Sequence, residues 1–239
     1  MIQSLTFRRN GDTIALHAAR PHGEGPFPGL VLIPDVRGVS DHYLDVAGRF
    51  AAEGFFTAVV DLYSREGRPD LPDMQAVFDW IAALPDGRVL ADLAGAVQAV
   101  AEHPDVRANA VGITGFCLGG QYALMAACCN ERLAACVSWY GMLRYARHTD
   151  NKPVSPLELA PRLHCPYLGL FGAEDALIPT ADVEELRAIL AREGKTFDIH
   201  LYPGAGHAFF NDARPDAYRP QAAADAFPRA VRFLREHLG

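Results

Sequence analysis

Five short runs of this sequence are apolar almost throughout: Gly29-Leu30-Val31-Leu32-Ile33-Pro34, Phe55-Phe56-Thr57-Ala58-Val59-Val60, Ala110-Val111-Gly112-Ile113-Thr114, Ala135-Cys136-Val137-Ser138-Trp139 and Tyr167-Leu168-Gly169-Leu170-Phe171. A strand with one wet face alternates apolar and polar residues. A run without that alternation suits a strand covered on both sides, as in a parallel sheet. Nearer the start, Leu5-Thr6-Phe7 and Thr13-Ile14-Ala15-Leu16-His17 do alternate, and Asn10-Gly11-Asp12 between them is a hairpin turn signal. A last strand is expected at Phe197-Asp198-Ile199-His200-Leu201, and helical periodicity falls near 42–53, 70–83, 89–102, 119–129, 180–192 and 221–237. Strand and helix alternating over nearly the whole chain predict an α/β fold, a three-layer sandwich around a mostly parallel central sheet. No repeat or linker interrupts it, so residues 1–239 read as one domain. The stretch 141–165 carries no firm element and is expected over the ligand-binding edge of the sheet.

Charge narrows the partners. With 22 Lys and Arg against 29 Asp and Glu, the net charge is −7, which argues against a broad nucleic-acid or anionic-membrane surface. It leaves room for a small anionic substrate held by one or two arginines. The N-terminus has no basic region followed by an apolar run, and no span approaches ~18 apolar residues, so a cytoplasmic location is expected. Cys117, Cys128, Cys129, Cys136 and Cys165 form no CxxC pair and read as free thiols of a reducing compartment.

The sharpest chemical signal is Gly115-Phe116-Cys117-Leu118-Gly119-Gly120, between a buried-strand pattern and the helix-forming run Gln121-Tyr122-Ala123-Leu124-Met125. Strand, tight turn and helix are the context of a nucleophile elbow, where the flanking positions need glycine because the backbone passes close to its neighbours. The new helix would aim free N–H groups at the thiol, favouring a thiolate, and the Leu118 N–H would face an oxyanion. A structural cysteine beside packing glycines is the bland alternative. A phosphate loop is disfavoured because no Lys-Ser/Thr follows and no dinucleotide glycine spacing is present.

Downstream, the strand at 167–171 runs into Gly172-Ala173-Glu174-Asp175, and the final strand leads to Gly204-Ala205-Gly206-His207-Ala208-Phe209. The order nucleophile, acid, histidine is that of α/β-hydrolases. His207 would take the thiol proton or pair with the thiolate, and Asp175 would orient it, with Glu174 the competing acid and a backbone-capping loop histidine the alternative for His207. No His-x-x-x-His pair is present; Asp35, Asp175 and His207 would ligate a metal only if the nucleophile reading failed, so no metal is expected. After the first central strand, Pro34-Asp35-Val36-Arg37-Gly38 would supply the second oxyanion donor, the Val36 N–H. Asp35 either holds the Cys117 thiol, or caps its own loop or pairs with Arg37. Ser40 or Asp41 would cap the following helix.

These residues resemble the dienelactone hydrolase family, in Gly-Phe-Cys-Leu-Gly-Gly at 115–120, Asp-Leu-Tyr at 61–63, Gly-Ala-Glu-Asp at 172–175, Gly-Ala-Gly-His-Ala-Phe at 204–209 and Tyr140-Gly141. The resemblance implies a minimal α/β-hydrolase without a large cap domain, a Cys-His-Asp triad at Cys117, His207 and Asp175, no cofactor, and hydrolysis of enol-lactones to 4-oxo acids such as maleylacetate. Asp35 stands where the family usually has a glutamate on the resting thiol. The family's pair of carboxylate-binding arginines is missing: Leu71-Pro72-Asp73-Met74-Gln75 occupies the first place and Asn211 the second. Arg65, Arg68 or Arg214 would have to reach the pocket instead, beside Asn211 and the aromatic candidates Phe116, Tyr122, Trp139, Tyr140 and Phe209. The expectation is therefore a monomer or small homo-oligomer that cleaves a small-molecule ester or lactone. A broad-range carboxylesterase or thioesterase for neutral or aromatic substrates, and a non-catalytic binding or redox-sensing protein, are the alternatives.

Overall fold

The computed structural model describes residues 2–239, whose strands join in one eight-stranded sheet. In chain order the elements are β1 (Ile2–Arg9), β2 (Asp12–Ala19), β3 (Phe27–Ile33), α1 (Asp41–Ala52), β4 (Phe56–Val60), α2 (Met74–Ala83), α3 (Asp86–Ala101), β5 (Val106–Phe116), α4 (Leu118–Cys129), β6 (Ala135–Trp139), α5 (Pro156–Leu159), a 3-10 turn at Ala160–Arg162, β7 (Tyr167–Gly172), α6 (Thr180–Arg192), β8 (Phe197–Tyr202) and α7 (Pro220–Leu238). Across the sheet the order is β1-β2-β4-β3-β5-β6-β7-β8. The hairpin β1–β2 is antiparallel, with Asn10 and Gly11 both at positive φ in its turn, and β2 pairs antiparallel with β4. From β4 through β8 the sheet is parallel, and β4, β6 and β7, with no polar alternation, are buried along their whole length. α1 and α7 cover one face, where Phe50 meets Phe227, and α3 and α4 pack together on the other. This is the expected sandwich.

The start of α2 and the cap of α1 differ from the sequence reading. The helix expected from 70 begins at Met74, because Asp73 takes the N-cap and its carboxylate accepts from the Ala76 N–H at 2.9 Å. Ser40 occupies the N-cap of α1 with extended backbone, but its hydroxyl makes no capping bond; Asp41 lies in the first turn.

The stretch 141–165 is more ordered than its sequence suggests. Its loop ends in the capping box of α5, in which Ser155 N–H donates to Glu158 at 2.7 Å. Lys152 reaches inward to Asp86, at the start of α3, with Nζ 2.6 Å from Oδ1 and both side chains almost wholly buried. Tyr122 of α4 and Tyr145 of the loop donate to the same carboxylate at 2.8 and 2.9 Å, and Gln121 donates to the Tyr145 hydroxyl at 2.7 Å. Burial lowers the Lys152 pKa, opposed by the bond to Asp86. The network ties the loop to the helix that follows Cys117. Removing one partner strands a buried charge, so Lys152→Met is expected to lower the unfolding free energy by about 3 kcal/mol, read as a shifted urea midpoint.

Candidate active site

Cys117 sits between the end of β5 and the start of α4 at φ 57°, ψ −117°, a conformation that L-residues occupy only under constraint. The constraint is a pair of close backbone approaches. A Cβ on Gly115 would fall 2.0 Å from the Gly119 carbonyl oxygen, and one on Gly119 would fall 2.2 Å from the Ile33 carbonyl oxygen. Both positions therefore require glycine. The Cys117 N–H donates to the Trp139 carbonyl at 3.0 Å, fastening the turn to the end of β6. The thiol is partly exposed, and the first N–H groups of α4, Leu118 included, have no partner within the helix.

The histidine and its acid come from the next two strand ends. Asp175 lies in the turn after β7, buried, with Oδ1 accepting the Leu177 N–H at 2.9 Å and Oδ2 2.8 Å from His207 Nδ1. Glu174, the competing acid, points to solvent. His207 Nε2 is buried without a hydrogen bond among the described atoms, which leaves it for a reacting group. Burial disfavours the imidazolium, but the charge on Cys117 and the hydrogen bond to Asp175 outweigh it and raise the His207 pKa to about 10.

The loop after β3 completes the group. β3 pairs with β5 so that Ile33 stands opposite Gly115, and the two chains leave the sheet side by side where strand order reverses. Asp35 is buried beside Cys117 in the same cleft, and its Oδ1 accepts the Arg37 N–H at 2.8 Å, so it does cap its own loop. The Tyr63 hydroxyl donates to the Val36 carbonyl at 2.9 Å and fixes that peptide. Burial above all, then the charges of Asp35 and Cys117, holds the Tyr43 and Tyr140 phenols well above the ordinary tyrosine range, so both stay neutral.

Cys117, His207, Asp35 and Val36 line one cleft of about 620 Å³, counting the space open to solvent. The structure sorts the remaining candidates. Arg214 lines this cleft, and so does Arg37, which the sequence offered only as a partner for Asp35. Arg68 and Asn211 border the adjoining hollow, which shares Asp35, Arg37 and Arg214. Arg65 does not line the cleft: Asp92 and Asp12 each hold it at 2.5 Å. Phe116, Tyr122, Trp139, Tyr140 and Phe209 are core residues, each fully buried and none lining the cleft. Tyr140 and Phe209 act from behind, the Tyr140 ring packing edge-on against both His207 and Phe209 at 5.3 Å.

Sequence reasoning passed over Tyr63, the tyrosine of the Asp-Leu-Tyr segment, and the four α2 residues Met74, Val77, Phe78 and Ile81 that wall the cleft at helical spacing. It also passed over His42, buried with Nδ1 2.9 Å from Asp212 and its pKa lowered chiefly by burial; no local pattern announces that pair. Among the described residues no group of three or more His, Cys, Asp or Glu side chains is arranged to hold a metal ion.

Known proteins resemble this chain over nearly its whole length. The model of the Dienelactone hydrolase family matches residues 14–238. A Bradyrhizobium protein named "Probable 2-oxo-3-(5-oxofuran-2-ylidene)propanoate lactonase" is 37% identical over 229 residues, 96% of this chain and 92% of its own. The "Putative carboxymethylenebutenolidase" of Escherichia coli K12 is 36% identical over 232 residues, 96% and 84% of the two chains. A crystal structure described as a "Putative Dienelactone Hydrolase" from Klebsiella pneumoniae superimposes with TM-score 0.93 at 34% identity, covering 99% of this chain and 98% of the other.

If the Asp175 carboxylate supports the His207 charge, Asp175→Asn lowers the imidazole titration midpoint from about 10 toward the ordinary 6.5. The protonated form then persists over a narrower range as pH rises. An NMR titration of the ring nitrogens measures it, and an unchanged midpoint contradicts the electrostatic account.

Proposed function

The chain belongs to the dienelactone hydrolase family and is a carboxylic ester hydrolase, and on that premise we propose that it opens an enol-lactone or activated ester bearing a carboxylate, through a thioester on Cys117. The observation that carries this reading is the convergence on one cleft of a cysteine held on a strained turn and a histidine bonded to a buried aspartate.

The reaction starts when His207 takes the Cys117 proton and leaves an imidazolium beside a thiolate. The sulfur attacks the carbonyl carbon, and the Val36 and Leu118 N–H groups hold the oxyanion. The C–O bond breaks, His207 gives its proton to the departing enolate, and the resulting enol rearranges to the ketone. Neutral His207 then takes a proton from water, the hydroxide attacks the thioester, and the C–S bond breaks to restore the thiolate. Asp175 keeps Nδ1 as the donor side of the ring throughout. A thiolate leaves a tetrahedral adduct readily, so an enolate, itself a good leaving group, suits this nucleophile where an amide does not. Asp35 lines the same cleft as Cys117, and we assign its Oδ2 the role of holding the thiol between turnovers, since Oδ1 caps the loop.

Arg37 and Arg214 hold the anionic end of the substrate. The family's second arginine is replaced by Asn211, and Arg214, three residues further along the same loop, enters the cleft in its stead. Its bond to exposed Asp216, at 3.3 Å, is weak enough to exchange for a substrate carboxylate. The propanoate in the name of the Bradyrhizobium relative fits such an anchor. The described cysteines are free, and no described helix is long and apolar enough to cross a membrane, which supports a reducing cytoplasmic setting.

Two measurements test the reading. Cys117→Ala should lower kcat/KM on an enol-lactone by ~10³-fold or more and abolish a thioester adduct seen by mass spectrometry in rapidly quenched wild-type protein. Full activity in the variant refutes the nucleophile. Arg214→Met should raise KM for a carboxylate-bearing lactone about tenfold while sparing a neutral aryl ester; equal effects on both remove the anion anchor.

A further inference from the structure

Along α2 the wall of the cleft is apolar, and it is partly exposed. Met74, Val77, Phe78 and Ile81 follow helical spacing along one stripe of α2, and all four line the cavity with Cys117. The inner pair, Val77 and Ile81, is buried against the protein. The outer pair is not: Met74 is 50% exposed and Phe78 40%. Among the described residues the only other exposed large apolar side chain is Ile2, far off on the edge strand β1. Scattered apolar side chains on a surface need no explanation, but two neighbours on one helical stripe at the mouth of a reacting cleft do. Met142 and Leu177 extend the same apolar lining, and no charged side chain of α2 borders it.

We propose that Met74 and Phe78 form an apolar subsite that selects substrates charged at one end only, with a hydrocarbon or aryl substituent on the end that faces α2. The inference rests on the reading of this cleft as the site of hydrolysis and adds the chemical class of its substrate. The carboxylate lies toward Arg37 and Arg214, and the substituent lies against the α2 stripe. A second carboxylate placed there would lose its hydration against methionine and phenylalanine with no cation to replace it. A phenyl group would gain by leaving water for the same surface. Continuity of the stripe with the cavity that holds Cys117 and His207 argues for a substrate group as its occupant rather than a second protein.

The test uses a series of five-membered enol-lactones that share one carboxylate and differ at the opposite end: hydrogen, methyl, phenyl or a second carboxylate. The expected order of kcat/KM is phenyl, methyl, hydrogen, then carboxylate, with phenyl about tenfold or more above hydrogen. In Phe78→Ser and Met74→Ser the phenyl advantage falls to about threefold or less, and Phe78→Leu restores part of it. Phe78→Arg reverses the order in favour of the second carboxylate. A wild-type preference for the dicarboxylate, or a phenyl preference indifferent to all four variants, overturns the proposal. A change of oligomeric state in Phe78→Ser on size-exclusion chromatography, with selectivity unmoved, assigns the stripe to a second copy and overturns it too. Binding of the matching ring-opened acids to Cys117→Ala, followed by calorimetry, reads the same preference without turnover. Failure of hydrolysis therefore counts against the mechanism, and a flat affinity series counts against the subsite.

Discussion

The close passage of the first turn of α4 past the ends of β3 and β5 governs this molecule. Where the Gly119 backbone meets the Ile33 carbonyl there is no space for a methyl group, and the Gly115 backbone meets Gly119 in the same way. That contact brings the Asp35–Val36 loop and the Cys117 turn to the same place, since Ile33 and Gly115 are register partners. It also forces Cys117 into positive φ, a strain of order 1–3 kcal/mol that the surrounding sheet must hold. The Trp139 carbonyl bond and the stacked rings of Phe116, Trp139 and Phe210 beneath the turn supply that restraint. Their burial is why none of them faces a ligand.

On this frame the electrostatics of the cleft follow from two opposed effects. Burial alone would leave His207 neutral; the sulfur on one side and Asp175 on the other reverse that preference. The neighbouring His42 shows the balance falling the other way. It too is buried and bonded to an aspartate, but burial prevails there: no cysteine charge acts on it, and Arg49, which shares Asp212, opposes a further positive charge. Two histidines with similar aspartate partners thus shift in opposite directions because of the other charge each one meets.

The layers, the sheet and the convergence of Cys117, Asp175 and His207 were legible in the chain because each leaves a local mark. Continuous apolar runs mark doubly covered strands, and glycines on either side of Cys117 mark a close approach. A carboxylate and a histidine just past strand ends mark the edge where they meet. Asp86 and Lys152, 66 residues apart, left no such mark. Neither belongs to a motif, and a buried lysine in a loop reads on paper as a solvated one. Arg65 failed as a cleft residue for the converse reason: position suggested reach, while Asp92 and Asp12 had already taken its charge. The α2 stripe was visible as a helical pattern, but periodicity reports only that a face is covered, and half of this face is not.

That division of labour along the chain has an evolutionary side. Cys117, Asp175 and His207 stand at strand ends that cannot shift without opening the sheet, whereas α2 leans on the body through Val77 and Ile81 and turns Met74 and Phe78 outward. Substitutions on its outer row are paid for in neither strain nor core volume. Lineages carrying this fold can therefore drift in what they accept while what they do to it stays fixed, and the exposed row of one short helix is where divergence among such enzymes should accumulate first.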